Sequence, residues 1–380
     1  MLVGSLIGDA MGGPLEFASD DIRRPYAINA RQWADERRLT TADAESMRRD
    51  WTLMSYQTVR PDAAPYGPWL NNSPAGTLTD DSRHKIILIR AMRSATGAVT
   101  ALNIATEMIR FQPKIDELPN ALTRSMIDEG FAEYRFAAHW LIGERDPSLA
   151  RPLERLWAGV DNCSGQMMMT PLAACFAGKP VEAYHACFEL DCFDAPIARD
   201  ITSAIVAGLA AVLGNDADAL PVDARWRLLE ETMRDVDPFR IADVPFVGRP
   251  LHQWMSLAQS IVDRADGSPR VAYRLLETDG KPVYYWDAHF TWLVAIVLLK
   301  IADYDPAVAM ALAIDFGHDT DSYAQLIGAM IGAVCGRDVF PESLRTTVES
   351  ELAIQYGERT DEWLDVLDRQ AEYFVHRQRK

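Results

Sequence analysis

The chain has 380 residues, 48% of them hydrophobic and 24% charged, with 55 Asp+Glu against 38 Lys+Arg and a formal net charge of −17. That length holds one large domain or two average ones, and the composition belongs to a protein with ample core. The acidic balance argues against a broad contact with nucleic acid or anionic membrane, since both need positive charge, but it leaves room for an anionic ligand bridged by a cation.

Five cysteines, Cys163, Cys175, Cys187, Cys192 and Cys335, show no regular framework and no CxxC pair. The reading is of reduced, mostly buried thiols in a cytoplasmic protein, with neither a disulfide scaffold nor a structural zinc. Met1-Leu2-Val3 runs into Gly4 without a basic stretch, so no signal peptide is expected. The apolar runs 292–299 and 326–335 are too short to cross a bilayer.

In chain order, apolar residues at three- and four-residue spacing predict helices over 3–13, 82–95, 98–110, 119–142, 166–177, 180–189, 197–213, 222–235, 249–265, 286–302, 305–315, 320–336, 342–356 and 360–378. Segments 29–36 and 42–53 are further helix candidates, and 281–285 is the one strand-like run. The class is therefore all-α. Gly, Pro and Asp punctuate the helix boundaries, none is long enough for an interdomain linker, and no repeat is found. One domain spans 1–380, with 14–78 as a lid or insert carrying Trp51, Tyr66 and Trp69. The closing Arg377-Gln378-Arg379-Lys380 places cations at a helix C-terminus, where they meet its dipole.

Three stretches could carry chemistry. In the first, Gly4, Gly8 and Gly12 share one helical face and permit close approach of another backbone; Asp9 sits beside that face, and Pro14 ends the helix so that Glu16 comes from the following loop. The second, Thr79-Asp80-Asp81-Ser82, opens an apolar-periodic helix. The third, Asp319-Thr320-Asp321-Ser322, opens a helix whose small residues recur every fourth position, at Ala324, Gly328, Gly332 and Gly336. Each glycine there costs about 1 kcal/mol in helix propensity, which close packing must offset. Capping accounts for either acidic start taken alone. It does not account for the doubling, because neighbouring carboxylates repel and a cap needs only one. Together the two starts offer four carboxylates and two hydroxyls, a suitable shell for two oxygen-loving cations.

These three motifs, Gly-x3-Gly-Asp-Ala-x-Gly-x3-Glu, Thr-Asp-Asp-Ser and Gly-x-Asp-Thr-Asp-Ser, resemble in this order the ADP-ribosylglycohydrolase family, whose members include ADP-ribosyl-acceptor hydrolases and the dinitrogenase-reductase-activating enzyme. The resemblance spans residues 4–336. It implies a single all-α orthogonal bundle with a binuclear Mg²⁺ or Mn²⁺ centre in a cleft. Matched position by position, Thr79, Asp80, Asp81, Asp319, Asp321 and Ser322 would be metal ligands and Glu16 the catalytic carboxylate. The implied reaction is hydrolysis of an N- or O-ribosyl bond, releasing ADP-ribose from an ADP-ribosylated acceptor.

Departures from the family pattern bear on the substrate. The family's Gly-Gly-Asp-Thr-Asp-Thr is here Gly317-His318-Asp319-Thr320-Asp321-Ser322, so His318 points either into the shell behind the ligands or at substrate. The family's central Asn-Gly segment with its Met-Arg pair is replaced by Asn162-Cys163-Ser164-Gly165-Gln166 and three methionines, without the arginine. Asn162, Ser164, Gly165 and Gln166 are suited to lining a ribose pocket, or else start a helix with a methionine core face. The histidine that helps hold ADP-ribose in many members has no counterpart in 190–214. Trp286 offers a ring to a base or aglycone unless it is core, and Asp9 is assigned to the substrate side. The alternatives are a hydrolase of a small N-riboside or nucleotide-like metabolite and a catalytically silent binding member. Retention of the six ligand positions and Glu16 counts against the last.

Overall fold

In the computed structural model, residues 1–17, 36–54, 74–111, 138, 141–143, 161–191, 193–246 and 248–378 are described. Among them are 16 α-helices and no strand. In chain order these are α1 (Leu2–Gly12), α2 (Thr41–Arg49), α3 (Asp80–Ser94), α4 (Ala101–Arg110), α5 (Ser164–Met169), α6 (Pro180–Leu190), α7 (Pro196–Val212) and α8 (Asn215–Asp218). There follow α9 (Val222–Asp235), α10 (Pro250–Ala265), α11 (Pro269–Asp279), α12 (Ala288–Ile301), α13 (Pro306–Phe316), α14 (Thr320–Val334), α15 (Glu342–Tyr356) and α16 (Thr360–Gln378). The expected helices at 29–36 and 119–142, the lid residues Tyr66 and Trp69, and Cys192 lie outside the described residues, apart from Glu36, Ala138, Leu141 and Ile142.

The chain divides into two compact units, one drawn from Met1–Asp81 and Pro250–Leu352, the other from Ser82–Glu117, Arg124–Arg249 and Ala353–Lys380. In the first, α1 and α14 are buried along their whole lengths and lie against each other. Their small residues interlock. An alanine β-carbon at Gly4 would come 2.2 Å from the Gly328 carbonyl oxygen, one at Gly8 2.0 Å from that of Ala324, and one at Gly328 2.0 Å from that of Gly4. The two glycine faces read from the sequence are thus each other's partner. Gly336 is not part of that contact: it follows the helix at φ +84° with open space around it.

Behind this pair, α12 is apolar all round and buried except at His289 and Lys300, as a central helix must be. It packs against α10, α11, α13 and α14. Trp51, half-buried, donates from Nε1 to Met11 Sδ at 3.2 Å and its ring meets Phe340.

The strand-like run 281–285 forms a turn. The Asp287 carboxylate accepts the N–H groups of Val283 (2.7 Å) and Tyr284 (3.1 Å), a side-chain turn that replaces a ladder partner. The segment 166–177 also differs from a single helix. It starts at Ser164 and tightens to a 3₁₀ turn at Thr170, where Pro171 has no N–H to continue the α pattern.

In the second unit α7 is the central helix, packed by α5, α6, α9 and the 3₁₀ turn Thr170–Phe176, on which α16 also lies. The Asp200 carboxylate on α7 accepts a two-nitrogen clamp from Arg249, Nη2 at 2.7 Å and Nε at 3.0 Å, and a further hydrogen bond from the Tyr184 hydroxyl. The Arg249 side chain is wholly buried. Arg249→Met therefore strands a buried carboxylate and is expected to cost about 3–5 kcal/mol in urea unfolding. A loss under 1 kcal/mol would show the pair contributes little.

Cys163, Cys175 and Cys187 are buried and Cys335 is half-buried. Burial holds the Cys175 thiol up at about 12, far from a reactive thiolate.

Candidate metal centre

The acidic residues of the first unit come together at one end of the α1/α14 pair. Interlocked glycines bring the two backbones close there. Two further ties fix the register: Thr320 Oγ1 donates to the Gly12 carbonyl at 2.7 Å, and the Phe17 N–H donates to the His318 carbonyl at 2.7 Å. Pro14 supplies the 3₁₀ turn that ends α1, and Glu16 leaves from it beside α14.

Two groups of three carboxylates result. Asp9, Asp81 and Asp321 form one and Glu16, Asp319 and Asp321 the other, each with one oxygen per residue lying within 4.8 Å of the rest. Asp321 belongs to both. Asp9, Asp81 and Asp321 are at most 1% exposed. Around them, Thr79 donates from Oγ1 to Asp9 Oδ1 at 2.5 Å and its N–H also reaches the Asp9 carboxylate at 3.2 Å. The Asp81 N–H donates to Thr79 Oγ1 at 3.2 Å, and Ser322 Oγ donates to Asp81 Oδ2 at 3.2 Å. Asp81, Asp319 and Asp321 are thus brought together with Thr79 and Ser322, while Asp80 opens α3 beside Asp81 and is in neither carboxylate group.

Burial, then the charges of Glu16, Asp81, Asp319 and Asp80, drives the Asp321 carboxyl well above the ordinary carboxylate range. So many buried carboxylates cannot stay ionised together unless positive charge enters among them. The donors are all oxygens, carboxylate and hydroxyl, which suit a hard divalent cation and not a thiolate-seeking one. The residues present thus fit hard divalent cations, and Asp321 is common to both carboxylate groups.

Asp9, which the sequence places beside the glycine face, has its carboxylate in the acidic cluster, where it accepts from Thr79. Its one-residue offset from Gly8, on the face that meets α14, was the available signal.

His318 takes a left-handed φ of +61°, after Gly317 at +85°, as the chain reverses between α13 and α14. The family pattern has glycine at this position; histidine is among the residues that tolerate it. Its ring stacks on Tyr285 at 3.5 Å and its Nε2 lies 3.1 Å from Glu277 Oε1. Trp286 stacks on Tyr284 at 5.0 Å and meets the edge of Phe17, the neighbour of Glu16, at 5.7 Å. Its side is open, with the residue 37% exposed. Asn162, Ser164, Gly165 and Gln166 belong to the second unit, where Ser164 and Gln166 are buried and the segment starts α5.

A family model described as ADP-ribosylglycohydrolase matches residues 1–379. The chain belongs to the ADP-ribosylglycohydrolase family. It is a glycohydrolase of that family by membership, and its all-α architecture agrees with the family fold. A solved structure described as an ADP-ribosylglycohydrolase-related protein complex is similar with a TM-score of 0.51 at 14% identity, covering 98% of this chain and 95% of that one. At that identity the likeness shows the fold alone. No curated protein matches the chain. Among the described residues no helix is long and apolar enough to cross a membrane.

Proposed function

We propose that this glycohydrolase cleaves a ribosyl C1–N or C1–O bond and releases ADP-ribose from an ADP-ribosylated protein side chain, with two Mg²⁺ ions, or Mn²⁺ in their place, as cofactors. The observation that carries this reading is the sharing of Asp321 between two carboxylate groups beside Glu16. Thr79, Asp80, Asp81, Asp319, Asp321 and Ser322 are the ligand set, and Asp9 holds Thr79 in position. Bound there, the ions would supply Lewis-acid polarisation of oxygens at the reacting centre. Glu16 takes the proton of the attacking water as C1 gains oxocarbenium character. That proton then passes to the leaving nitrogen or oxygen, while the hydroxyl remains on C1. Trp286, open on one side, offers a stacking face to base or aglycone. His318, held by Tyr285 and Glu277, borders the substrate. Residues 1–380 form one family domain on this reading, with 14–78 as its lid.

One observation favours a smaller substrate. The Ser164 hydroxyl and the Gly165 N–H are both committed to Asp194, and residues 162–166 include no cation to meet a diphosphate. A simple N-riboside is the second reading.

The purified chain with Mg²⁺ or Mn²⁺ is expected to free ADP-ribose from ADP-ribosylated arginine, serine or a DNA end. A chelator should stop release and added metal restore it. Glu16→Gln should lower kcat by about 10²- to 10⁴-fold with metal content unchanged. Turnover of simple ribosides alone selects the second reading, and turnover of neither class overturns both.

A further inference from the structure

We propose that the second unit holds its own site for a hard divalent cation of the Ca²⁺ or Mg²⁺ class, formed by Asp191, Asp194, Ser164 and Thr202 around Gly165. Asp191 and Asp194 lie in the link between α6 and α7, and each is 1% exposed. Thr202 stands on α7 and Ser164 opens α5, so three elements meet at this point.

Ser164 Oγ lies within hydrogen-bonding distance of Asn162 Oδ1 and, at 2.8 Å, of Asp194 Oδ1, yet its hydroxyl has one hydrogen. The Gly165 N–H serves Asp194 Oδ2 at 3.1 Å. The Asp191 carboxylate takes a hydrogen bond from the Asp194 backbone and faces the Asp194 carboxyl, while its Oδ2 has no N–H or hydroxyl donor among the described residues. Nor has Thr202 Oγ1, which is 0% exposed.

These oxygens aim at one place. An alanine β-carbon at position 165 would lie 2.3 Å from Asp194 Oδ2, 2.4 Å from Asp191 Oδ2 and 2.9 Å from Thr202 Oγ1. Glycine keeps that convergence open. Thr202 Oγ1 can give its hydrogen to one carboxylate and still turn a lone pair toward a cation; leaving it without any partner would cost about 1–3 kcal/mol.

Among the described residues Arg199 is the cation whose charge is felt at Asp191, and it does not bond either carboxylate. Its Nη2 donates to the Asp194 carbonyl, and its guanidinium lies over the Phe188 ring. Burial pushes the Asp191 carboxyl up to about 6, and burial followed by the Asp191 charge pushes Asp194 well above its ordinary range. Cys187, beside the pair, is kept as a thiol by burial, so the donors remain oxygens. Two carboxylates match a double charge, and carboxylate with hydroxyl oxygens suits Ca²⁺ or Mg²⁺ over zinc or copper. Bound, the ion would tie the α6–α7 link to the start of α5.

The test uses the full chain carrying Asp319→Asn and Asp321→Asn, which disables the acidic centre of the first unit, so the outcome is independent of the glycohydrolase reading. Equilibrium dialysis against Ca²⁺ or Mg²⁺ followed by elemental analysis should find one ion per chain, with a cation-dependent rise in Tm. Adding Asp191→Asn should remove both. Should that variant fail to fold, the near-isosteric Thr202→Val should weaken the apparent Kd by about tenfold. No bound ion and no shift in Tm with either cation would overturn the proposal and leave the two carboxyls sharing a proton. An ion count and Kd unchanged by Asp191→Asn and by Thr202→Val would overturn it equally.

Discussion

Asp321→Asn is expected to lower kcat by about 10³-fold or more and to reduce the divalent-metal content of the protein. The carboxylate serves both groups, with Asp9 and Asp81 on one side and Glu16 and Asp319 on the other. On the proposed two-metal reading, losing it would remove a ligand from each position at once. Charge stabilisation by a bound metal is worth several kcal/mol at a transition state, and each 1.36 kcal/mol is about tenfold in rate. The metal-free variant should nonetheless melt no lower than the metal-free wild type. Burial and the charges of Glu16, Asp81, Asp319 and Asp80 all oppose ionisation of Asp321, so a neutral amide relieves that opposition. Loss of activity without loss of the metal-free fold separates a functional carboxylate from a structural one. Turnover and metal content both at wild-type levels would remove Asp321 from the centre.

Gly8→Ala should destabilise the protein by about 3 kcal/mol or more and reduce turnover along with it. The added β-carbon would lie 2.0 Å from the Ala324 carbonyl oxygen and 2.3 Å from its carbonyl carbon. Both are backbone atoms of a buried helix, so no flexible side chain can yield and α1 must move off α14. Overpacking of this kind costs about 1–3 kcal/mol and sometimes more. Asp9 is the next residue, so the movement also shifts its carboxylate relative to Asp321. A misplacement of about 1 Å in a catalytic arrangement can cost about 10²-fold in rate. Gly97→Ala is the control: nothing lies within 4 Å of its added carbon, and its effect should stay within about 0.5 kcal/mol. Denaturant midpoints and kcat for the two variants check the pair. Equal behaviour of Gly8→Ala and Gly97→Ala would mean that close backbone approach does not hold the centre together.

Local pattern made much of this legible. Helical periodicity reports which face of a segment is apolar, and most of those segments contain a helix in the structure, although 42–53 is helical only to Arg49 and Glu36, the described end of 29–36, is in a bend. The short run 281–285 misled because alternation over so few residues cannot tell a strand from a turn, and the deciding group, the Asp287 carboxylate, lies beyond it. Pro171 likewise changed the helix type inside a segment whose apolar spacing was regular.

The amino-acid sequence by itself determined the all-α class, the acidic helix starts at Asp80 and Asp321, the loop position of Glu16 and, through the motifs together, the family. Those are properties of spacing along the chain, and spacing survives without coordinates. Only the tertiary structure decided that the glycines of α1 seat against Gly328 and Ala324, that Asp321 is common to two carboxylate groups, and that Asp9 stands with them. It alone also revealed Asp191 and Asp194 as a buried pair facing Thr202. The physical reason is that burial and carboxylate-to-carboxylate distance depend on which helix packs against which, and residues far apart in the chain carry no local mark of that choice.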